Sequence, residues 1–272
     1  MKLCVSTLAC PGWDLPRIVE TCAINGIAGI DFRGLGGEID VTRLPQFGVD
    51  LPKTMGLLRQ HGLRIPCLNT SVALLASGDA WKHMLDECQR TGRLAERTGT
   101  RMMRVFGGSI PEEMSRNQAT SMAARRLRQL VKLASRYSCC VLIETHDDWT
   151  SPNDLAALLD GFDPLDAAIL WDCEHTTRAG HSPSDVVGAL GDRIRHVHLK
   201  DSVRQDLRSV PRLVGQGDLP ISDCVRALHK ISYDGWLCLD TDKRWCDAAP
   251  EPELSIPQFA GVIGRLLDRA KH

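Results

Sequence analysis

No apolar run in this 272-residue chain approaches the ~18 consecutive residues that cross a membrane. None of its eleven cysteines forms a Cys-x-x-Cys pair, which sets aside the usual structural zinc sites. Excess charge is also missing: 33 Lys and Arg stand against 34 Asp and Glu, a net charge of −1. Nucleic acid as a main partner would need a basic surplus, so none is expected. Glycines 34, 36 and 37 miss the Gly-x-Gly-x-x-Gly spacing of a dinucleotide fold, and Gly215–Asp218 lacks that of a phosphate loop. The opening MKLCVSTLAC begins like an export signal but meets Pro11, Gly12, Trp13 and Asp14 too early for one. A soluble, cytosolic chain without a membrane partner is the expectation. In that setting an odd number of cysteines reads as packing side chains, with Cys4, Cys67, Cys140, Cys173 and Cys238 inside apolar runs.

What is present is a repeating alternation. Short apolar runs occupy Leu3–Leu8, Ile27–Phe32, Leu63–Leu68, Met102–Phe106, Cys139–Ile143, Ala168–Trp171, Ile194–Leu199 and Trp236–Leu239. They show little strict polar alternation, as strands covered on both faces do. Helical stretches separate them at Asp14–Asn25, Leu51–His61, Ala80–Arg97, Arg116–Tyr137, Pro152–Leu159, Ser184–Leu190, Ile221–Ile231 and Ile256–Arg269. Asp14 caps the first, while Gly26 and Gly99 follow the ends of two of them. Arg125, Arg126 and Arg128 are expected on a solvated face of the longest. Eight strand–helix units without a linker predict one α/β domain over residues 1–272, a single (β/α)8 TIM barrel.

The strand ends carry the chemistry. The fifth run leads into Glu144 and His146, and the sixth into Asp172, Glu174 and His175. The seventh holds His196, His198, Lys200 and Asp201, and the eighth leads into Asp240 and Asp242. Residues two apart on a strand share a face, and barrel active sites lie at the C-terminal strand ends. Buried there, an ionised group costs several kcal/mol, on the order of 3 or more, unless paired or liganded. One divalent cation (Mn²⁺, Mg²⁺, Co²⁺ or Zn²⁺) removes that cost, with Glu144, Asp172, His198 and Asp240 as candidate ligands. The competing reading is a salt-bridge network in which Arg104 and Lys200 neutralise the acids.

Four motifs, IETH around Glu144, DxxH from Asp172 to His175, HVHLKD around His198 and LDTDKRW around Asp240, resemble the sugar-phosphate isomerase/epimerase family. These are xylose-isomerase-like TIM barrels, and their superfamily also holds ketose 3-epimerases, inosose isomerases and dehydratases, and endonuclease IV. CVSTLACPGW, IDFRG, IPCLNTS and MRVFGG extend the likeness over nearly the whole chain. The resemblance implies one cation held from strands five to eight, mapping onto Glu144, Asp172 and His198. At the fourth position Asp240 stands where the family commonly has Glu, one methylene longer, with Asp242 as the alternative ligand. It further implies Glu144 and Asp240 as the groups that move a proton beside a chelated carbonyl. His175 would hydrogen-bond the chelated oxygens, and Lys200 with Asp201 would orient His198.

Other residues keep two readings each. Asn69, ending the third strand, binds a substrate hydroxyl or caps the following turn. Trp13 and Trp149 wall a sugar face or pack. His146 is an acid/base or the partner of Asp147. Arg204, Arg208 and Arg212 meet a substrate phosphate or form an exposed basic loop. His61, His83, His181, His229 and His272 are expected to face solvent. The implied activity is isomerisation or epimerisation of a small sugar, sugar phosphate or polyol. A keto-polyol dehydratase on the same cation and a non-catalytic sugar-binding barrel are the alternatives. Endonuclease-type cleavage is disfavoured, because Asp31, Asn69 and Arg104 stand on strands two to four where it needs histidines. A homodimer is expected from the resemblance alone.

Overall fold

A computed structural model describes residues 1–206 and 208–269; His272 lies outside them. The first half of the chain runs β1 Lys2–Ser6, α1 Leu15–Ile24, β2 Gly29–Asp31, α2 Leu51–Gln60, β3 Leu68–Ala73, α3 Gly78–Thr98, β4 Met102–Phe106 and α4 Arg116–Ala134. Then follow β5 Cys140–Glu144, α5 Pro152–Leu158, β6 Ala167–Asp172, α6 Cys173–Arg178, α7 Pro183–Leu190 and β7 Ile194–Leu199. A hairpin of β8 Asp201–Gln205 and β9 Arg208–Arg212 precedes α8 Ile221–Lys230, β10 Trp236–Leu239 and α9 Pro252–Arg269. No helix among the described residues is long and apolar enough to cross a membrane.

Local signals account for most boundaries. The Asp14 carboxylate accepts from Arg17 N at 3.0 Å and starts α1. Reciprocal Ser115–Gln118 and Ser182–Asp185 bonds start α4 and α7. One strand departs from expectation. Residues 63–67 do not form β3, which begins at Leu68; Arg64 makes only an isolated bridge to Gly29. Pro66 has no N–H to give a ladder, so pairing resumes beyond it. Asn69 is therefore the second residue of β3, not its end. Arg126 also departs from the solvated face: it donates to Leu74 O and Ala76 O, both at 2.7 Å.

The chain divides into two compact units, Met1–Pro66 with Val197–His272, and Cys67–His196. In the second unit the strands lie in the order β6-β5-β4-β3, all parallel, with Phe106 opposite Glu144 and Glu144 opposite Leu170. Cys67, Leu142, Ala168 and Leu170 form a buried cluster joined by Met102 and Cys140. Two residues on from Cys67, Met102, Leu142 and Leu170 stand Asn69, Arg104, Glu144 and Asp172. The two-residue period thus puts a polar layer directly on an apolar floor. Trp149 is fully buried, and its ring lies against Gly107 too closely for any Cβ there. Its Nε1 donates to Gly108 O at 3.0 Å, so Trp149 packs and does not wall a sugar face.

In the first unit the order is β2-β1-β10-β7, with Cys4 opposite Cys238 and Ser6 opposite Asp31. Cys4 and Cys238 are a buried floor, and Ser6 and Asp240 follow two residues later. The antiparallel β8–β9 hairpin replaces the expected basic loop, leaving Arg204 and Arg208 exposed.

Candidate metal centre

Glu144 and Asp172 are the last residues of β5 and β6, and both are buried. Each offers a carboxylate oxygen within 4.8 Å of the other's. Thr145 ties the two strand ends together: its hydroxyl donates to Asp172 O at 3.1 Å and accepts from Asp172 N at 2.8 Å. Asp172 also caps α6, its Oδ1 accepting from Glu174 N at 2.8 Å and His175 N at 3.2 Å. That short helix directly after β6 brings His175 Nε2 to 3.9 Å from Asp172 Oδ2. Glu174 turns instead to Arg178 at 3.7 Å.

Arg104 serves several partners. Its Nε lies 3.2 Å from Glu144 Oε2 and 3.3 Å from Asn69 Oδ1, and its Nη1 donates to Thr70 O at 3.0 Å. The guanidinium stacks 3.8 Å over Phe106. Phe106 meets His146 at 4.9 Å, and His146 meets His175 at 4.1 Å. This ladder fixes two imidazoles. His146 lies beyond the end of β5, so strand alternation does not place it; its Nδ1 bonds Asp147 Oδ1 at 2.8 Å. Burial alone would lower its pKa, but the hydrogen bond to Asp147 and the charges of Glu144, Asp147 and Asp172 raise it. Asn69 is 1% exposed, and its Nδ2 has no hydrogen-bond partner among the described residues. The reading of Asn69 as a turn cap is not supported: a buried amide with an unused donor, mid-strand, caps nothing.

In the other unit, His198 is the penultimate residue of β7 and Asp240 follows the end of β10. Both are buried, with His198 Nδ1 3.2 Å from Asp240 Oδ2. His198 Nε2 faces Asp31 Oδ2 at 3.6 Å. His196, two residues back, is fully buried in the same strand. Burial would raise the Asp240 carboxyl, but the charge and hydrogen bond of His198, the charge of Lys200 and a Ser6 hydrogen bond outweigh it. The group is held well below the usual carboxylate range. Asp242 lies in a turn of 3-10 helix, half exposed and 3.7 Å from Lys200.

Asp201 does not orient His198. Its carboxylate accepts from Ser202, Gly215, Gly217 and Leu219 N at 2.7–3.3 Å, which organises the turn at 215–219. Trp13 is 7% exposed under the Arg17 guanidinium, 4.1 Å from its ring. His61, His83 and His229 are exposed, as expected, and His181 is half-buried. The roles of Asp31, Thr145 and Phe106 were not legible in the motifs. Burial of Asp31 inside IDFRG was the one available signal, since an acid in an apolar strand needs a partner.

Among curated proteins, the chain is 26% identical over 145 residues to an inosose dehydratase of Clostridium tetani, covering 47% of this chain and 48% of that protein. It thus spans about half the length of that relative. Among solved structures, the IOLI protein with a bound zinc atom superposes with a TM-score of 0.80 at 16% identity, over 99% of this chain and 98% of that one. D-allulose 3-epimerase from Methylomonas sp., in complex with D-allulose, gives 0.77 at 16% identity over 97% and 96%. These likenesses confirm the expected (β/α)8 barrel. Residues 19–259 match the family described as xylose isomerase-like TIM barrel, and the chain belongs to that family.

Proposed function

We propose that this chain is a metal-dependent enzyme that moves a proton at the carbon beside a carbonyl of a small sugar or polyol, isomerising or epimerising it. Glu144, Asp172, His198 and Asp240 would hold one divalent cation. The observation that carries the reading is the burial of Glu144 and Asp172 side by side at adjacent strand ends. Two carboxylates so close repel each other, and dry surroundings enlarge the repulsion. Arg104 offsets one charge, and a divalent cation offsets the rest. A donor set of three carboxylates and one imidazole suits Mn²⁺, Mg²⁺, Co²⁺ or Zn²⁺. The zinc atom of the IOLI protein supports the same choice of group.

When bound, the cation would supply Lewis-acid polarisation of the substrate carbonyl and its neighbouring hydroxyl. Glu144 is the first proton-transfer group, its Oε2 anchored by Arg104. Asp240, kept ionised by His198 and Lys200, is the second. His175 lies beside Asp172 on a ring held by His146, suited to hydrogen-bond substrate oxygens. Asn69 Nδ2 supplies a donor for a hydroxyl, Trp13 an apolar edge, and Lys200 positive charge beside Asp240. Eleven cysteines without a disulfide support a reducing compartment such as the cytoplasm.

The curated likeness to an inosose dehydratase favours a second reading, loss of water from a keto-polyol. Both reactions begin with the same proton removal. Proton NMR in D₂O on cation-loaded protein with a panel of ketoses and keto-inositols separates them. Exchange with inversion or carbonyl migration identifies the first reaction, and an enone product the second. Absence of any exchange with all four cations would overturn both and leave a binding protein.

A further inference from the structure

Asp31 is fully buried on β2, and its surroundings are unusual for a carboxylate. Cys4 and Cys238 each place a sulfur within 4.8 Å of one of its oxygens. Two imidazoles stand near it: a His196 ring nitrogen lies within 4.8 Å, and His198 Nε2 stands 3.6 Å from Asp31 Oδ2, just beyond hydrogen-bond length. The opposite nitrogen of the ring, Nδ1, lies 3.2 Å from Asp240 Oδ2.

That second distance is informative. Donors about 2.1 Å from one cation stand about 3.0 Å apart in an octahedron and about 3.4 Å apart in a tetrahedron. The Nδ1–Oδ2 pair falls between these values, so it can form one edge of a coordination shell without moving either side chain. In the metal-free protein Nδ1 donates to Asp240; a cation would take that proton's place, and only a ring that keeps its remaining proton on Nε2 can offer the Nδ1 lone pair to that edge. A carboxylate beyond the ring is the usual means of holding that proton.

We propose that Asp31 is a positioning residue for the cation-binding imidazole: it holds the Nε2 proton of His198 so that Nδ1 is presented beside Asp240. The proposal rests on the ligand assignment made above and adds a residue that touches neither cation nor substrate. It gives the acid in IDFRG a role that strand packing does not require. It also names the nitrogen that binds.

Calorimetric titration of metal-free protein with Mn²⁺ tests it in wild type, Asp31→Ala, His198→Ala and the double variant. Asp31→Ala should weaken Mn²⁺ binding about 10–100-fold. In the His198→Ala background the same change should alter affinity less than about 3-fold, because the ring through which Asp31 acts is gone. An equal loss in both backgrounds, or no loss in wild type, overturns the role of Asp31. Unchanged affinity in His198→Ala alone refutes the ligand assignment first, and this proposal with it. A measurement on the wild type covers variants that fail to fold. Nitrogen-15 NMR of histidine-labelled, Zn²⁺-loaded protein should show His198 protonated at Nε2 and bound through Nδ1, and the opposite tautomer overturns the proposal.

Discussion

Arg104 reaches Glu144 with Nε at 3.2 Å, and both side chains are about as deeply buried, at 4% exposure each. The salt-bridge reading and the cation reading therefore describe the same site. The guanidinium neutralises one carboxylate of a pair, and its remaining contacts to Asn69 and Thr70 hold two more polar groups of β3 in place.

Removing the guanidinium should leave Glu144 buried beside Asp172 without the Arg104 ion pair. Arg104→Ala is expected to cost about 3–5 kcal/mol in metal-free protein, the usual loss when one half of a buried pair is deleted. Part of that loss should return when Mn²⁺ is added, since the cation takes over the compensation. Denaturant titration with and without Mn²⁺ checks both halves. Lysine at this position should not substitute, because one ammonium cannot meet Glu144, Asn69 and Thr70 in a planar fork.

Asn69 offers a different test. Its Oδ1 accepts from Arg104 Nε at 3.3 Å, while its Nδ2 is buried and has no partner among the described residues. Asn69→Ala should raise KM about 10-fold, equivalent to about 1.4 kcal/mol of lost binding, with kcat changed less than about 3-fold. Steady-state kinetics on the substrate found in the D₂O screen decides it. A fall in kcat with KM unchanged would remove Asn69 from substrate binding.

The α6 cap that Asp172 makes and the ligand role proposed for it can be separated. Asn at this position keeps the α6 cap but lacks the ligand charge, whereas Ala loses both. Asp172→Asn should fold nearly as stably as wild type without metal yet lose the stabilisation that Mn²⁺ confers. In wild type that stabilisation is about 2.7 kcal/mol at 100 times the Kd, roughly 5–10 °C in Tm for a chain of this size. Asp172→Ala should cost about 1 kcal/mol more from the lost cap. Scanning calorimetry reads all three proteins.

The thiols predict behaviour in alkali. Burial first, then neighbouring charge, pushes Cys22 and Cys88 up from 9.0 to about 12. The unfolded chain therefore releases these protons as pH rises through 9, while the native chain keeps them until about 12. Their contribution is complete below pH 9 and is lost between 9 and 12, at about 1.4 kcal/mol per thiol for each pH unit in that window. Urea titrations at pH 8, 9 and 10 should show the decline. A disulfide reagent at pH 8 should spare both residues until the protein unfolds.

The strand–helix alternation and the helix caps were legible in the chain alone, because period and capping are local properties, and so were the candidate ligand residues, as acids and imidazoles at strand ends. Met102–Phe106, Ile194–Leu199 and Trp236–Leu239 have the boundaries expected of them. Misjudgements came where one residue acts against its neighbours. Pro66 delays β3, Asp201 closes the 215–219 turn, and Arg126 binds backbone carbonyls that no helical pattern reveals.

The sequence by itself determined which chemistry is available: acids and imidazoles at strand ends, carried on apolar runs that must be buried. Only the tertiary structure decided partnership. Arg104 with Glu144, Asp31 with His198 and Thr145 with Asp172 join residues 27 to 167 positions apart. Backbone pairing sets such distances, and side-chain periodicity within any one strand carries no information about them.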